Sequence, residues 1–227
     1  MKKLKAILFD LDGTVTDSAE IVSTSMQEMY LARTGKQLPV ESFYKYLGPP
    51  LPWSFADLGA QPDEIPQWIA EYRDRYLKRM PQTPLFPGIK ELLAQLVDAG
   101  YALGVATSKQ TKYAIEVCDY TEVSTYFTEI YGASADGRLS SKALVVESAL
   151  AGFTERKIID PAPELDSTGF RTDVVMVGDR IHDIAGAKEH QVRTILVGWG
   201  KASQDERAQA WAIANTPAEL IQLINSL

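Results

Sequence analysis

Two pairs of carboxylates in this chain are spaced for chemistry. Asp10-Leu11-Asp12-Gly13-Thr14 follows the apolar run Lys5 to Phe9, and Gly178-Asp179-Arg180-Ile181-His182-Asp183 follows Val174 to Val177. Carboxylates two residues apart on an extended backbone point the same way. Their mutual repulsion is unfavourable unless a cation or a reaction uses it. A lone Asp-Gly is a common turn, but a buried strand leading straight into DxDGT reads poorly as one. The second pair, four residues apart, would alone pass for helix capping. Together the two supply enough oxygen ligands for Mg²⁺. Thr107-Ser108 follows Leu103 to Ala106, and hydroxyls with backbone N–H groups at a helix start suit a phosphate. Lys142 opens the segment Ala143 to Ala151. A cation site beside an anion site is the chemistry these positions share.

The elements that must position them are short strands alternating with amphipathic segments. Lys5 to Phe9, Leu103 to Ala106, Val174 to Val177 and Thr194 to Val197 are brief apolar runs, each followed by Gly, Asp or Thr. They predict buried strands. Ile89, Leu92, Leu93, Leu96 and Val97 form one helical face, closed by Gly100. Strands alternating with helices predict an α/β chain with a parallel sheet covered on both faces. Ligands of such sheets sit at the carboxyl ends of the strands.

Thr16 to Met80 interrupts the alternation with helical patterns alone. Asp17 or Ser18 can cap a helix carrying Ile21, Val22, Met26, Met29 and Tyr30, ended by Gly35. Ile65, Trp68, Ile69, Tyr72, Tyr76 and Leu77 make another apolar face. The expected organisation is a core of residues 1–15 and 82–227 with a helical insert at 16–81. Gly13 to Thr16 and Pro81 to Gly88 would be the linkers. Asp160 to Asp173 reads as an unusually long surface loop.

The chain has 227 residues, 45% hydrophobic and 23% charged, with net charge −7. This is globular composition. The acidic balance argues against a nucleic-acid polymer as partner. A single cysteine, Cys118, allows no internal disulfide and reads as packing. The basic start Met1 to Lys5 leads into an apolar run that stops at Asp10, too short for a signal peptide. No run is long enough for a membrane span. A soluble cytoplasmic protein, monomeric or weakly dimeric, is expected.

In order and identity, DLDGT, Thr107, Lys142 and GDRIHD resemble the four motifs of the haloacid dehalogenase (HAD) superfamily of aspartate-nucleophile phosphohydrolases. The resemblance spans essentially the whole chain. It implies a Rossmann-like core with an inserted α-helical cap. It also implies a small phosphorylated metabolite as substrate, Mg²⁺ as cofactor and an aspartyl-phosphate on Asp10. Asp12 would be the general acid and base. Asp10, Asp179 and Asp183 would hold the metal by side chain, with Asp183 direct or through water, and Asp12 by its backbone carbonyl. Thr107 and Ser108 would hold phosphate oxygens, Lys142 would offset charge, and Thr14 would orient the first loop. Asp12 favours phosphoryl transfer over the dehalogenase branch, which lacks it. No cap lysine among Lys36, Lys45 and Lys78 suits the Schiff-base branch, whereas a sugar-phosphate mutase shares all these residues. The stretch Gly48-Pro49-Pro50-Leu51, with Asp136-Gly137-Arg138 ahead of Ser141-Lys142, resembles the phosphoglycolate phosphatase and 5′-nucleotidase branch.

Gly48 and Pro49 are the lid candidates, while Trp53 and Phe55 read as cap core. Lys109 could reach a substrate anion or be a solvated first-turn lysine. His182 and His190 are not needed by this mechanism, and His182 reads as solvated at a helix start. A phosphoacceptor module similar to response-regulator receivers is the rival of another class. It would be shorter and lack the helical insert.

Overall fold

The computed structural model describes residues 4–227. Met1 to Lys3, the basic start of the chain, lie outside the described residues. Six parallel strands form one sheet in the order β3-β2-β1-β4-β5-β6. They are β1 (Ala6–Phe9), β2 (Ala102–Gln110), β3 (Glu129–Ala133), β4 (Val174–Gly178), β5 (Arg193–Val197) and β6 (Ala212–Ala214). The central strand β1 pairs with β2 on one side and β4 on the other, Phe9 opposite both Val105 and Val177. That register brings Asp10, Thr107 and Asp179 to one edge of the sheet.

Both faces are covered because side chains alternate along each strand. Ile7, Phe9, Val105, Val175 and Val177 belong to one core. Its cover includes α4 (Ile89–Asp98) and α9 (Pro217–Asn225). Ala6, Leu8, Ala106, Val174 and Met176 belong to the other, under Val146 and Phe153 of α6 (Lys142–Glu155) and Ala187 of α7 (Ile181–Lys188). Gly104 of β2 has no side chain because a Cβ there would stand 2.7 Å from the Phe153 ring.

Between β1 and α4 the chain is helical throughout: α1 (Ala19–Thr34), a 3₁₀ segment (Val40–Tyr46), α2 (Leu51–Asp57) and α3 (Ile65–Arg79). Gly35 ends α1 in a left-handed turn, φ 68°, and its N–H returns to Leu31 O. Ser18 stands at the N-cap but its hydroxyl caps nothing and is buried without a partner. Phe43, Phe55, Trp68 and Tyr72 pack as rings within this layer; Phe55 lies 5.9 Å from Tyr72 and 6.0 Å from Trp68. The two connecting segments bond to one another, Asp17 N to Pro84 O at 2.9 Å and Phe86 N to Val15 O at 3.2 Å.

Several expectations are corrected. Trp53 is 53% exposed rather than core, because it lies on the outer side of α2 while Phe55 points in. Two strands, β3 and β6, escaped the reading. β3 is half-buried and includes Gly132 in place of an apolar side chain; β6 has three residues. β2 continues past Ala106 to Gln110, so Thr107 and Ser108 end a strand and α5 (Thr111–Tyr120) starts after them. The 160–173 loop lies largely at the surface, as expected, and is pinned there: Arg171 and Asp173 form a buried ion pair at 2.7 Å, and Arg193 reaches Asp166 at 2.6 Å. Cys118 is fully buried, and burial pushes its thiol up to about 12. No described helix is long and apolar enough to cross a membrane.

Candidate active site

The carboxyl edge of β1, β2 and β4 forms the floor of a cavity of about 550 Å³, and the helical layer between β1 and α4 forms its roof. Asp10 continues β1, its N–H bonded to Val177 O at 2.8 Å. Asp10, Asp179 and Asp183 converge with one carboxylate oxygen each within 4.8 Å of the others, and all three are buried. The approach is possible because of glycine. A Cβ on Gly13, whose φ is +87°, would collide with the Asp179 carboxylate, and one on Gly178 with Asp183. Asp183 accepts from the N–H groups of Asp179 (3.1 Å) and Arg180 (3.0 Å), which locks the turn into α7.

Lys142 enters this cluster from the first turn of α6, where the Ser141 hydroxyl caps the helix. Its Nζ lies 2.7 Å from Asp10 Oδ1, 2.8 Å from Asp183 Oδ1 and 3.0 Å from Ala106 O. Burial opposes the charge of Lys142, but Asp10 and Asp183 outweigh it and hold its pKa above the ordinary lysine value. Burial raises Asp10 to about 6 against the pull of Lys142, with Asp183 and Asp12 adding to the rise. Asp179 is pushed well up by burial and by the charges of Asp183 and Asp10.

Asp12 lies beside this cluster rather than in it. Its Oδ2 pairs with Lys109 Nζ at 2.8 Å, and Oδ1 is buried without a partner. Lys109 also donates to the Tyr76 hydroxyl of α3 at 2.7 Å, with its ammonium 4.5 Å from that ring's centroid. Lys109 is not a solvated first-turn lysine: it lines the cavity and spans its floor and roof. Thr107 and Ser108 line the cavity, as do Gly48 and Pro49. Thr14 does not line it; its carbonyl accepts from Trp199 Nε1 at 3.0 Å, behind the first loop. His182 is not solvated. It is half-buried, lines the cavity and packs near Gly48, and burial followed by the Arg180 charge lowers its pKa.

Sequence reasoning passed over Arg180, Tyr72, Tyr76, Arg73 and Tyr113. Arg180 pairs with Glu206 at 2.9 Å and donates to Leu47 O in the roof at 2.6 Å. Its place between two carboxylates of one motif was the available signal. The tyrosines of α3 were legible only as an apolar face, and that face turns partly into the cavity.

The residues present fit a divalent cation. Asp179 Oδ1 is buried with no hydrogen-bond partner. Four carboxyl groups, Asp10, Asp12, Asp179 and Asp183, face two ammoniums, Lys109 and Lys142. Hard carboxylate oxygens suit Mg²⁺.

The sequence pattern of the haloacid dehalogenase-like hydrolases matches residues 7–197. The chain belongs to that family. Its relatives include a 5′-nucleotidase of Pseudomonas aeruginosa, 36% identical over 88% of this chain and 85% of the relative. The tyrosine-protein kinase PtkA of Mycobacterium tuberculosis is also 36% identical over 88% of this chain, which spans 64% of that protein. The solved structure of a predicted phosphatase from Clostridium acetobutylicum superposes with TM-score 0.86, at 33% identity and covering 99% of both chains. The six-stranded parallel sheet is the α/β fold of the HAD-like hydrolases.

Proposed function

We propose that this HAD-like phosphatase hydrolyses a small phosphate monoester, phosphoglycolate-like or 5′-nucleotide-like, through an aspartyl-phosphate on Asp10. The observation that carries the reading is the meeting of Asp10, Asp183 and Lys142 on the floor of one cavity, with Asp179 in the same carboxylate cluster and Asp12 beside it. Asp10 Oδ attacks phosphorus as the bond to the leaving oxygen breaks. Asp12 delivers its proton to that oxygen, and the alcohol departs. Asp12 then takes a proton from water, whose oxygen attacks the same phosphorus. Inorganic phosphate leaves and Asp10 is restored.

A carboxylate and a phosphate charge about 4 Å apart repel by ~4 kcal/mol at an effective dielectric of ~20. Lys142, already 2.7 Å from Asp10, offsets part of that repulsion. The Thr107 hydroxyl and the backbone of Ser108 suit the remaining phosphate oxygens, as strand-end donors beside the floor. Asp10, Asp179 and Asp183, with the Asp12 carbonyl, would hold Mg²⁺. When bound, the metal supplies positive charge to the transferring phosphoryl group. The helices of residues 16–81 act as the cap that closes the site to water, and the paired segments near Val15 and Phe86 act as its hinge.

The test is phosphate release from a monoester panel with Mg²⁺ and with EDTA, for wild type and Asp10→Asn. Release that needs both Mg²⁺ and Asp10 is expected. Turnover retained by Asp10→Asn would overturn the covalent route. A mutase would instead convert a sugar phosphate without releasing phosphate.

A further inference from the structure

The floor of the cavity is polar, while much of its roof is apolar. Val22 and Met26 of α1, Leu51 of α2, and Ile65 and Ile69 of α3 line it there, beside Tyr72, Arg73 and Tyr76. Ile65, Ile69 and Leu51 are only half-buried, so they hold apolar surface open towards the cavity. A cavity of about 550 Å³ is far larger than a phosphate and a two-carbon acid require, and falls in the range of drug-sized ligand pockets.

The cations around the cavity are mostly spoken for. Lys142 is held by Asp10 and Asp183, Lys109 by Asp12 and Tyr76, and Arg180 by Glu206 and Leu47 O. Arg73 is the exception: it makes no ion pair with any described residue, and its guanidinium lies 5.8 Å from the centroid of the Tyr113 ring, as does the exposed Lys112 ammonium. A flat ring would meet apolar surface on one side and a planar cation–aromatic pair on the other.

We infer that the phosphate monoester taken by this site carries an apolar, aromatic leaving group, seated between the Ile65–Ile69 face of α3 and the Arg73–Tyr113 pair. The inference rests on the phosphatase reading, and between its two substrate types it favours the nucleotide, through its base, over phosphoglycolate. Ile69 and Arg73 become specificity residues.

The experiment compares kcat/KM for benzyl phosphate and ethyl phosphate on the Mg²⁺-loaded enzyme. Both leave as alcohols of similar acidity, so the ratio reads the cavity and not the bond broken. Covering roughly 80 Å² of ring at the usual area coefficient predicts a ratio of about thirtyfold in favour of benzyl. In Ile69→Ala the ratio falls about fivefold. A ratio near one, or phosphoglycolate outrunning both esters, overturns the inference and leaves the phosphatase reading standing. If neither ester is hydrolysed, and neither phosphoglycolate nor a 5′-nucleotide is hydrolysed either, the phosphatase reading is the one that fails. Calorimetry with benzylphosphonate and ethylphosphonate then decides the inference separately: tighter benzyl binding supports it, and equal affinity overturns it.

Discussion

Replacing Lys142 with methionine removes the one ammonium shared by Asp10 and Asp183. The side chains involved are 6%, 8% and 2% exposed, so water does not replace the lost cation. At an effective dielectric of ~20, pairs at 2.7 and 2.8 Å are each worth about 6 kcal/mol in Coulomb energy before desolvation. Desolvation returns most of that, and breaking a buried pair by deleting one partner costs about 3–5 kcal/mol net. For a chain of this size, 1 kcal/mol moves Tm by about 2–4 °C. The metal-free variant is therefore expected to melt about 6–20 °C below wild type at pH 7.5. Because the deficit is uncompensated negative charge, Mg²⁺ should raise the Tm of Lys142→Met more than that of wild type. Adding Asp10→Asn should recover part of the loss, with a coupling energy that a double-mutant cycle reads directly. Differential scanning fluorimetry in EDTA and in Mg²⁺ is sufficient. An EDTA Tm within 2 °C of wild type, or no extra rescue by Mg²⁺, would refute this account of the charge cluster.

Metal-free wild type is expected to lose stability as pH rises from about 4 through 6. Asp10 is raised from 3.8 to about 6, so the folded state holds that proton more tightly than the unfolded chain, and the stability is full at low pH and lost as the group ionises. The full difference is worth about 3 kcal/mol, of which about 2 kcal/mol falls between pH 4.5 and 7.5; it disappears in Asp10→Asn, and urea titrations in EDTA at those two pH values measure it. Tyr76→Phe leaves Lys109 with Asp12 but removes a neutral acceptor from a buried ammonium. A loss of about 1.5–3 kcal/mol by urea titration and a fall in kcat are expected. Arg180→Ala severs the bond to Leu47 O while Glu206 keeps the N–H groups of Ile181 and Ser203. Steady-state kinetics should show kcat/KM at least tenfold lower, with the far-UV circular dichroism unchanged. Arg171→Ala leaves Asp173 buried at the residue whose carbonyl receives the N–H groups of Lys5 and Ala6. It should cost about 3–5 kcal/mol without changing KM.

What the sequence made legible was the set of residues whose neighbours are fixed by the strand they end. Asp10, Thr107 and Asp179 each follow a short apolar run. Parallel pairing in the register Phe9–Val105 and Phe9–Val177 then leaves little freedom in where they meet. Lys142 could be placed because a helix start after a strand end returns to the same edge of the sheet. The four central strands carried this signal and the two outer ones did not. β3 and β6 stand at the edges of the sheet, where half-burial dilutes the apolar run that marks an interior strand.

Lys109 illustrates what local pattern cannot hold. Its partners are Asp12, ninety-seven positions earlier, and Tyr76 on a helix of the inserted layer. Nothing in the residues around it records either contact. The same applies to Arg180, whose partner in the roof is a backbone carbonyl and so leaves no trace in residue type. Tyr72 and Tyr76 were visible as part of an apolar face, yet periodicity cannot separate a ring that fills a core from one that borders a cavity. One half of such a face packs the helical layer, through Trp68 and Phe55, and the other half lines the cavity, through Ile65 and Ile69. The candidate reaction centre was therefore legible from strand ends, while the proposed selectivity rests on how two separately readable pieces meet. Substitutions at Ile69 or Arg73 should accordingly change which ester is chosen and leave the Mg²⁺ requirement intact, a split that kcat/KM measured across two esters and a Mg²⁺ titration would expose.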